Sequence, residues 1–174
     1  MYRGPMDEPL QPLSSGTPVP HFALPSKFRV NLSARYLRGA RTVLAFYPFD
    51  WEPISREQLA IYQDYLIEFE RWGAHIIGIS VDHAWSHEAF ARQLRIRFPL
   101  LSDSRPRGMI SRLFGVYRDR EERSARALFV TDDHEIVRFS AVYPDGLNPG
   151  VKDILSMLEA LASGHIGTDE ARVG

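Results

Sequence analysis

A chain of 174 residues, 44% hydrophobic and 25% charged, is long enough to bury one substantial core and too short for two ordinary domains. Its formal net charge of −1, with Arg interleaved among Asp and Glu, excludes the basic excess that a nucleic-acid or anionic membrane partner calls for. It contains no cysteine, which excludes disulfides, thiolate metal sites and a thiol nucleophile.

Residues 1–15, rich in Pro, Ser and charge and without periodicity, are expected to form a mobile arm, and residues 163–174 a similar tail, leaving one domain over 16–162. No apolar run has the length of a signal-peptide core or a membrane span, so a cytoplasmic location is expected. "RTVLAFYPF" (41–49) is an apolar, partly β-branched run that predicts a buried strand. After a Pro- and acid-containing turn, Leu59, Tyr62, Leu66 and Phe69 recur at helical spacing until Gly73, and "HIIGIS" predicts a second buried strand. A helix capped by Ser86 and running to Leu94 follows, then a short apolar stretch at Phe98–Leu101 and a short helix over Gly108–Phe114.

"RALFVTDDHEIVRFSAVY" predicts two strands joined by a polar turn, and the charged stretch before it a solvated loop. The last helix is expected to start with Asn148 as cap and Pro149 in its first turn, with Ile154, Leu155, Leu158 and Leu161 on its apolar face. Helices and strands alternating and closing on a hairpin give the α/β class, with a mixed central sheet flanked by helices.

Six segments in order, "GTPVPHFAL", "LRGARTVLAFYPFD", "GISVDHAWSHEAF", "FPLLSD", "FGVY" and "RALFVTDDHEIVRF", resemble signatures of the peroxiredoxins, in their alkyl hydroperoxide reductase branch. The resemblance covers about residues 16–161 and implies a thioredoxin-like fold, no cofactor and, by family habit, a homodimer. It also implies a site. Family members carry a P-x-x-x-T/S-x-x-C motif and a distant Arg; the Cys thiolate attacks the peroxide, while the Thr and Arg orient it. Carried over, the Pro is Pro48 and the Arg is Arg126, but Glu52 stands at the Thr position and Ser55 at the Cys position.

A serine oxygen has no counterpart of the sulfenic acid, so Ser55 cannot carry out the family's reaction. The resemblance with this departure implies a degenerate peroxiredoxin kept as a binding or regulatory module. Two other readings compete with it: an antioxidant one-Cys thiol peroxidase present as a Cys-to-Ser variant, and a repurposed pocket in which Arg126 holds a small anion. Glu52 speaks against the variant, because a carboxylate ~4 Å from a thiolate at an effective dielectric of ~20 repels it by roughly 4 kcal/mol before screening.

From the residues alone, "SREQ" (55–58) is a capping box, with Ser55 as helix cap and Gln58 reaching back. Glu52 is expected to pair with Arg126, since a buried Arg left without its thiolate would be a costly unpaired charge. His83 and His87, four apart, have a spacing that suits a metal but lack a third ligand, and no metal is expected. Trp51 is expected to pack over the pocket or against a second copy.

Overall fold

A computed structural model describes residues 9–25 and 31–165 of the chain. A two-stranded ribbon of β1 (Ala23–Pro25) and β2 (Asn31–Ser33) leads through a short 3-10 turn into β3 (Arg41–Phe46). Helices α1 (Pro53–Asp64) and α2 (Leu66–Arg71) follow, then β4 (Ala74–Ser80), α3 (Ala84–Leu94), β5 (Leu100–Ser102) and α4 (Met109–Leu113). The chain ends with a small hairpin of β6 (Tyr117–Arg118) and β7 (Arg123–Ser124), then β8 (Arg126–Thr131), β9 (Val137–Tyr143) and α5 (Lys152–Ala162).

The main sheet has the order β5-β4-β3-β8-β9. β3, β4 and β5 run parallel, and β8 and β9 antiparallel to their neighbours, which is the mixed sheet the sequence implies. Because side chains alternate across a strand, the near-continuous apolar runs fill two cores at once. Val43, Ala45, Ile76, Leu128 and Val130 face one core, with Leu59, Tyr62 and Phe69 of α1 and α2, Phe90 of α3 and Ile154 and Leu158 of α5. Leu44, Phe46, Ile77, Ile79, Ala127 and Phe129 face the other, with Phe22, Leu37, Ile110 and Phe114. Leu13 joins this second cluster, and its N–H donates to the Phe114 carbonyl at 3.1 Å, so the end of the segment expected to be a mobile arm lies along the domain.

Within the main sheet, Gly78 on β4 has little clearance. An added Cβ there would sit 2.7 Å from Leu100 Cδ2 and 3.2 Å from Tyr47 Cε1, so glycine is what lets the first core close.

Several boundaries differ from the sequence reading. α1 begins at Pro53, and its cap is Glu52, not Ser55. α1 and α2 are two helices broken at Tyr65, where one had been expected. α3 begins at Ala84, so Ser86 lies inside its first turn and caps nothing. α5 begins at Lys152; the Asn148 side chain instead accepts from the Gly150 N–H at 3.0 Å, closing a turn before the helix. The charged stretch expected to be a loop folds as the β6–β7 hairpin, laced by ion pairs such as Arg112–Asp119 at 2.6 Å.

Candidate functional site

Strand alternation places Arg126 on the same face as Leu128 and Val130, pointing toward α1. β8 runs antiparallel to β3, with Ala127 opposite Phe46, so Arg126 comes to the end of β3 where the chain turns into α1. The sequence residues 126 and 52–58 therefore meet at one point. Pro48 is buried in the turn between them.

Arg126 is fully buried, and each of its N–H groups has a partner. Nη2 donates to Glu52 Oε2 at 2.8 Å and to the Asp145 carbonyl at 3.0 Å, and Nε donates to that carbonyl at 3.2 Å. Nη1 donates to Gln58 Oε1 at 2.7 Å and to Ser55 Oγ at 3.2 Å. Gln58 is thus a ligand of the guanidinium rather than the closing half of a capping box, and its Nε2 is held by donation to the Tyr62 hydroxyl at 3.0 Å.

Glu52 does two jobs. As the N-cap of α1 it accepts from the Ile54 N–H at 3.0 Å and the Ser55 N–H at 2.7 Å, satisfying helix-end donors that otherwise lack partners. As counter-ion it takes Arg126, and the Ser55 hydroxyl donates to the same Oε2 at 2.7 Å. Partial burial pushes this carboxyl up, but the bonds from Ser55, Arg126 and Ile54 outweigh it and hold the group below the usual glutamate range.

Ser55, fully buried at the third position of the helix, is a link between Glu52 and Arg126. Ser55→Ala should lower stability by about 1–2 kcal/mol, because the guanidinium and the carboxylate each lose a buried partner. Chemical denaturation at constant slope measures this. An unchanged midpoint would show that water replaces the hydroxyl at no cost.

Beside this cluster lies a second one that the sequence reading missed. The Asp50 carboxylate accepts from the Tyr47 hydroxyl at 2.8 Å and the Ser86 hydroxyl at 2.8 Å, and meets His87 Nδ1 at 2.9 Å. The other nitrogen of His87 contacts the Leu101 carbonyl at 3.0 Å, and the Asp50 N–H donates to Asp82 Oδ2 at 2.8 Å. Burial, reinforced by the Asp50 charge, pushes Asp82 above the usual aspartate range and Tyr47 well above the usual tyrosine range. Ligand atoms of Asp50, Asp82 and His87 lie within 4.8 Å of one another, close enough to hold a metal ion, yet Asp50 and His87 are engaged by protein groups throughout. His83 is not part of this group. It is exposed and stacks on Trp85, whereas His87 is fully buried, so the four-residue spacing does not converge on one point.

The AhpC/TSA family profile matches residues 15–140. The chain belongs to the AhpC/TSA family. Among AhpC/TSA relatives, the alkyl hydroperoxide reductase E of Mycobacterium tuberculosis is 33% identical over 152 residues, covering 87% of this chain and 97% of the relative. The chloroplastic peroxiredoxin Q of Triticum aestivum is 32% identical over 142 residues, covering 79% of this chain and 62% of the relative. The crystal structure of peroxidoxin BcpB from Mycobacterium tuberculosis superposes with a TM-score of 0.76 at 27% identity, covering 84% of this chain and 97% of that one. The AhpC of Enterococcus faecalis matches in fold with a TM-score of 0.81 at 20% identity, covering 92% of this chain and 98% of that one. The thioredoxin-like fold and peroxiredoxin membership implied by the resemblance therefore hold for this AhpC/TSA chain, which has no cysteine.

Proposed function

We propose that this chain is a degenerate peroxiredoxin, inactive as a thiol peroxidase, whose domain serves as a binding or regulatory module. The observation that carries this reading is the Glu52 carboxylate bonded at once to Arg126, the Ser55 hydroxyl and the first turn of α1. By family resemblance Pro48, Glu52, Ser55 and Arg126 stand where the active-site Pro, Thr, Cys and Arg would stand. Glu52 then supplies from within the protein the negative charge that a thiolate would otherwise place beside Arg126. A thiolate is the species that attacks peroxide in this chemistry, and no residue of this chain can form one.

The same bonding weighs against a repurposed anion pocket. A small anion would reach Arg126 only by displacing Glu52, Gln58 or the Asp145 carbonyl. It also weighs against a Cys-to-Ser variant of a working enzyme, in which Glu52 would crowd the thiolate. Homodimer assembly, a family expectation, and a cytoplasmic setting, expected from the lack of a signal-length apolar run, belong to this proposal. No helix among the described residues is long and apolar enough to cross a membrane.

Consumption of hydrogen peroxide and of an organic hydroperoxide in the presence of dithiothreitol tests the proposal. The expected rate equals that of buffer. Sustained turnover by the purified chain would overturn it.

A further inference from the structure

Trp51 sits between the two clusters with a backbone φ of 63°, a left-handed conformation that bulky side chains rarely adopt. Such a residue persists only where its surroundings over-determine it. Both neighbours are anchored. On one side, Asp50 is fixed by Tyr47, Ser86 and His87 through its carboxylate and by Asp82 through its N–H. On the other, Glu52 is fixed by Ile54, Ser55 and Arg126. The Trp51 ring follows the first anchor, since its Nε1 donates to Ser86 Oγ at 3.2 Å and the ring packs edge-to-face with Phe90 at 5.2 Å between centroids.

The geometry points to His87 as the positioning residue that aims Glu52 at Arg126, acting through Asp50 across the bend at Trp51. His87 is suited to this because its two nitrogens tie different elements together: one holds the Asp50 carboxylate and the other the carbonyl of Leu101 on β5. It thereby fixes the turn that follows β3 to the edge strand β5. With that tie cut, the chain relaxes at Trp51 toward ordinary dihedrals, and Glu52 swings off the guanidinium. The inference rests on the Glu52–Arg126 pair and not on the loss of peroxidase activity, so a failed peroxidase assay and a failed test here are separate outcomes.

The titration of the Glu52 carboxyl, followed by 13C NMR, reads this positioning directly. Around His87 the titratable groups are Tyr47, Asp50 and, two residues past β4, Asp82; around Glu52 there is Arg126, with Arg123 paired to Asp145 beyond it. His87→Asn should raise the Glu52 midpoint by at least about 0.5 pH unit toward an ordinary glutamate. Ser86→Ala removes a donor to Asp50 and the partner of Trp51 without altering any ionisable group, so a smaller upward shift there cannot come from a changed charge. Ile154→Val, a cavity in the first core, controls for general loosening and should leave the midpoint in place. A Glu52 midpoint unchanged in His87→Asn, or an equal shift in the Ile154→Val control, overturns the proposal. Should His87→Asn fail to fold, an unmoved midpoint in Ser86→Ala overturns it alone.

Discussion

Replacing Glu52 by alanine is expected to lower the unfolding free energy by about 3 kcal/mol, the low end of the loss seen when one partner of a buried ion pair is removed. The low end applies because the Glu52 side chain is 29% exposed while that of Arg126 is fully buried. Water can reach one partner and partly solvate the other. Alanine also removes the cap of α1, an additional loss on the order of 1 kcal/mol that overlaps with the first. Glu52→Gln keeps a capping oxygen and the shape while dropping the charge, and should fall between the parent and alanine.

The pH profile carries a second signature. Because the folded protein holds the Glu52 carboxyl below its unfolded value, the stabilisation is fully present above about pH 4.3 and is lost as pH falls through the folded value. Glu52→Gln should flatten that acid limb. Urea midpoints from pH 3 to 7 for the three proteins measure both effects. A Glu52→Ala variant within ~0.5 kcal/mol of the parent would mean that Arg126 finds water or another partner at no cost.

On the degenerate-site proposal, placing a thiol at position 55 should separate the loss of a nucleophile from the loss of a scaffold. In Ser55→Cys alone, the sulfur takes the place of an oxygen that lies 2.7 Å from Glu52 Oε2 and 3.2 Å from Arg126 Nη1. The carboxylate disfavours a thiolate there and already occupies one face of the guanidinium, so the thiol should be weakly reactive. Adding Glu52→Thr removes the charge, returns a hydroxyl to the site and keeps a side chain that caps helices well. The double variant should react with hydrogen peroxide at least ~10-fold faster than the single one, about 1.4 kcal/mol in the barrier. Stopped-flow oxidation with the thiol pKa measured in parallel is the test. If the single variant is as fast as the double, Glu52 does not oppose thiolate chemistry, and the case against a Cys-to-Ser variant fails with it.

Much of the architecture was legible because it rests on burial. The β3, β4 and β8 runs and the Ile154, Leu155, Leu158, Leu161 face declare themselves through apolar patterning that tertiary contacts then use. The pairing of Glu52 with Arg126 was legible on the same kind of ground, because a buried guanidinium demands an anion and the resemblance put the acidic Glu52 beside it. Caps were not. Ser55, Ser86 and Asn148 are all good cap residues by type, and each was bonded elsewhere: to Arg126, to Asp50 and to the Gly150 N–H. Type alone cannot tell a cap from a buried hydroxyl in the first turn. Pro53 was the signal passed over, since proline favours the first helical position and points to the residue before it as the cap. The Asp145 carbonyl and the Asp50–His87 contact had no local signal, because a backbone acceptor exists at every residue and the partners lie far apart in sequence.

The double bonding of Glu52 has a bearing on how such a chain changes over generations. On the degenerate-site proposal, a return to thiol chemistry needs two substitutions, and each order of making them passes through a poorer protein. Cysteine first sets a thiol against a carboxylate that suppresses it, and threonine first leaves the buried Arg126 facing two neutral alcohols with no anion. Either intermediate gives up stability or gains little activity, so selection has no single uphill step to follow. On the degenerate-site proposal Glu52 works as a ratchet: serving as both cap and counter-ion, it closes the site to reversal one residue at a time.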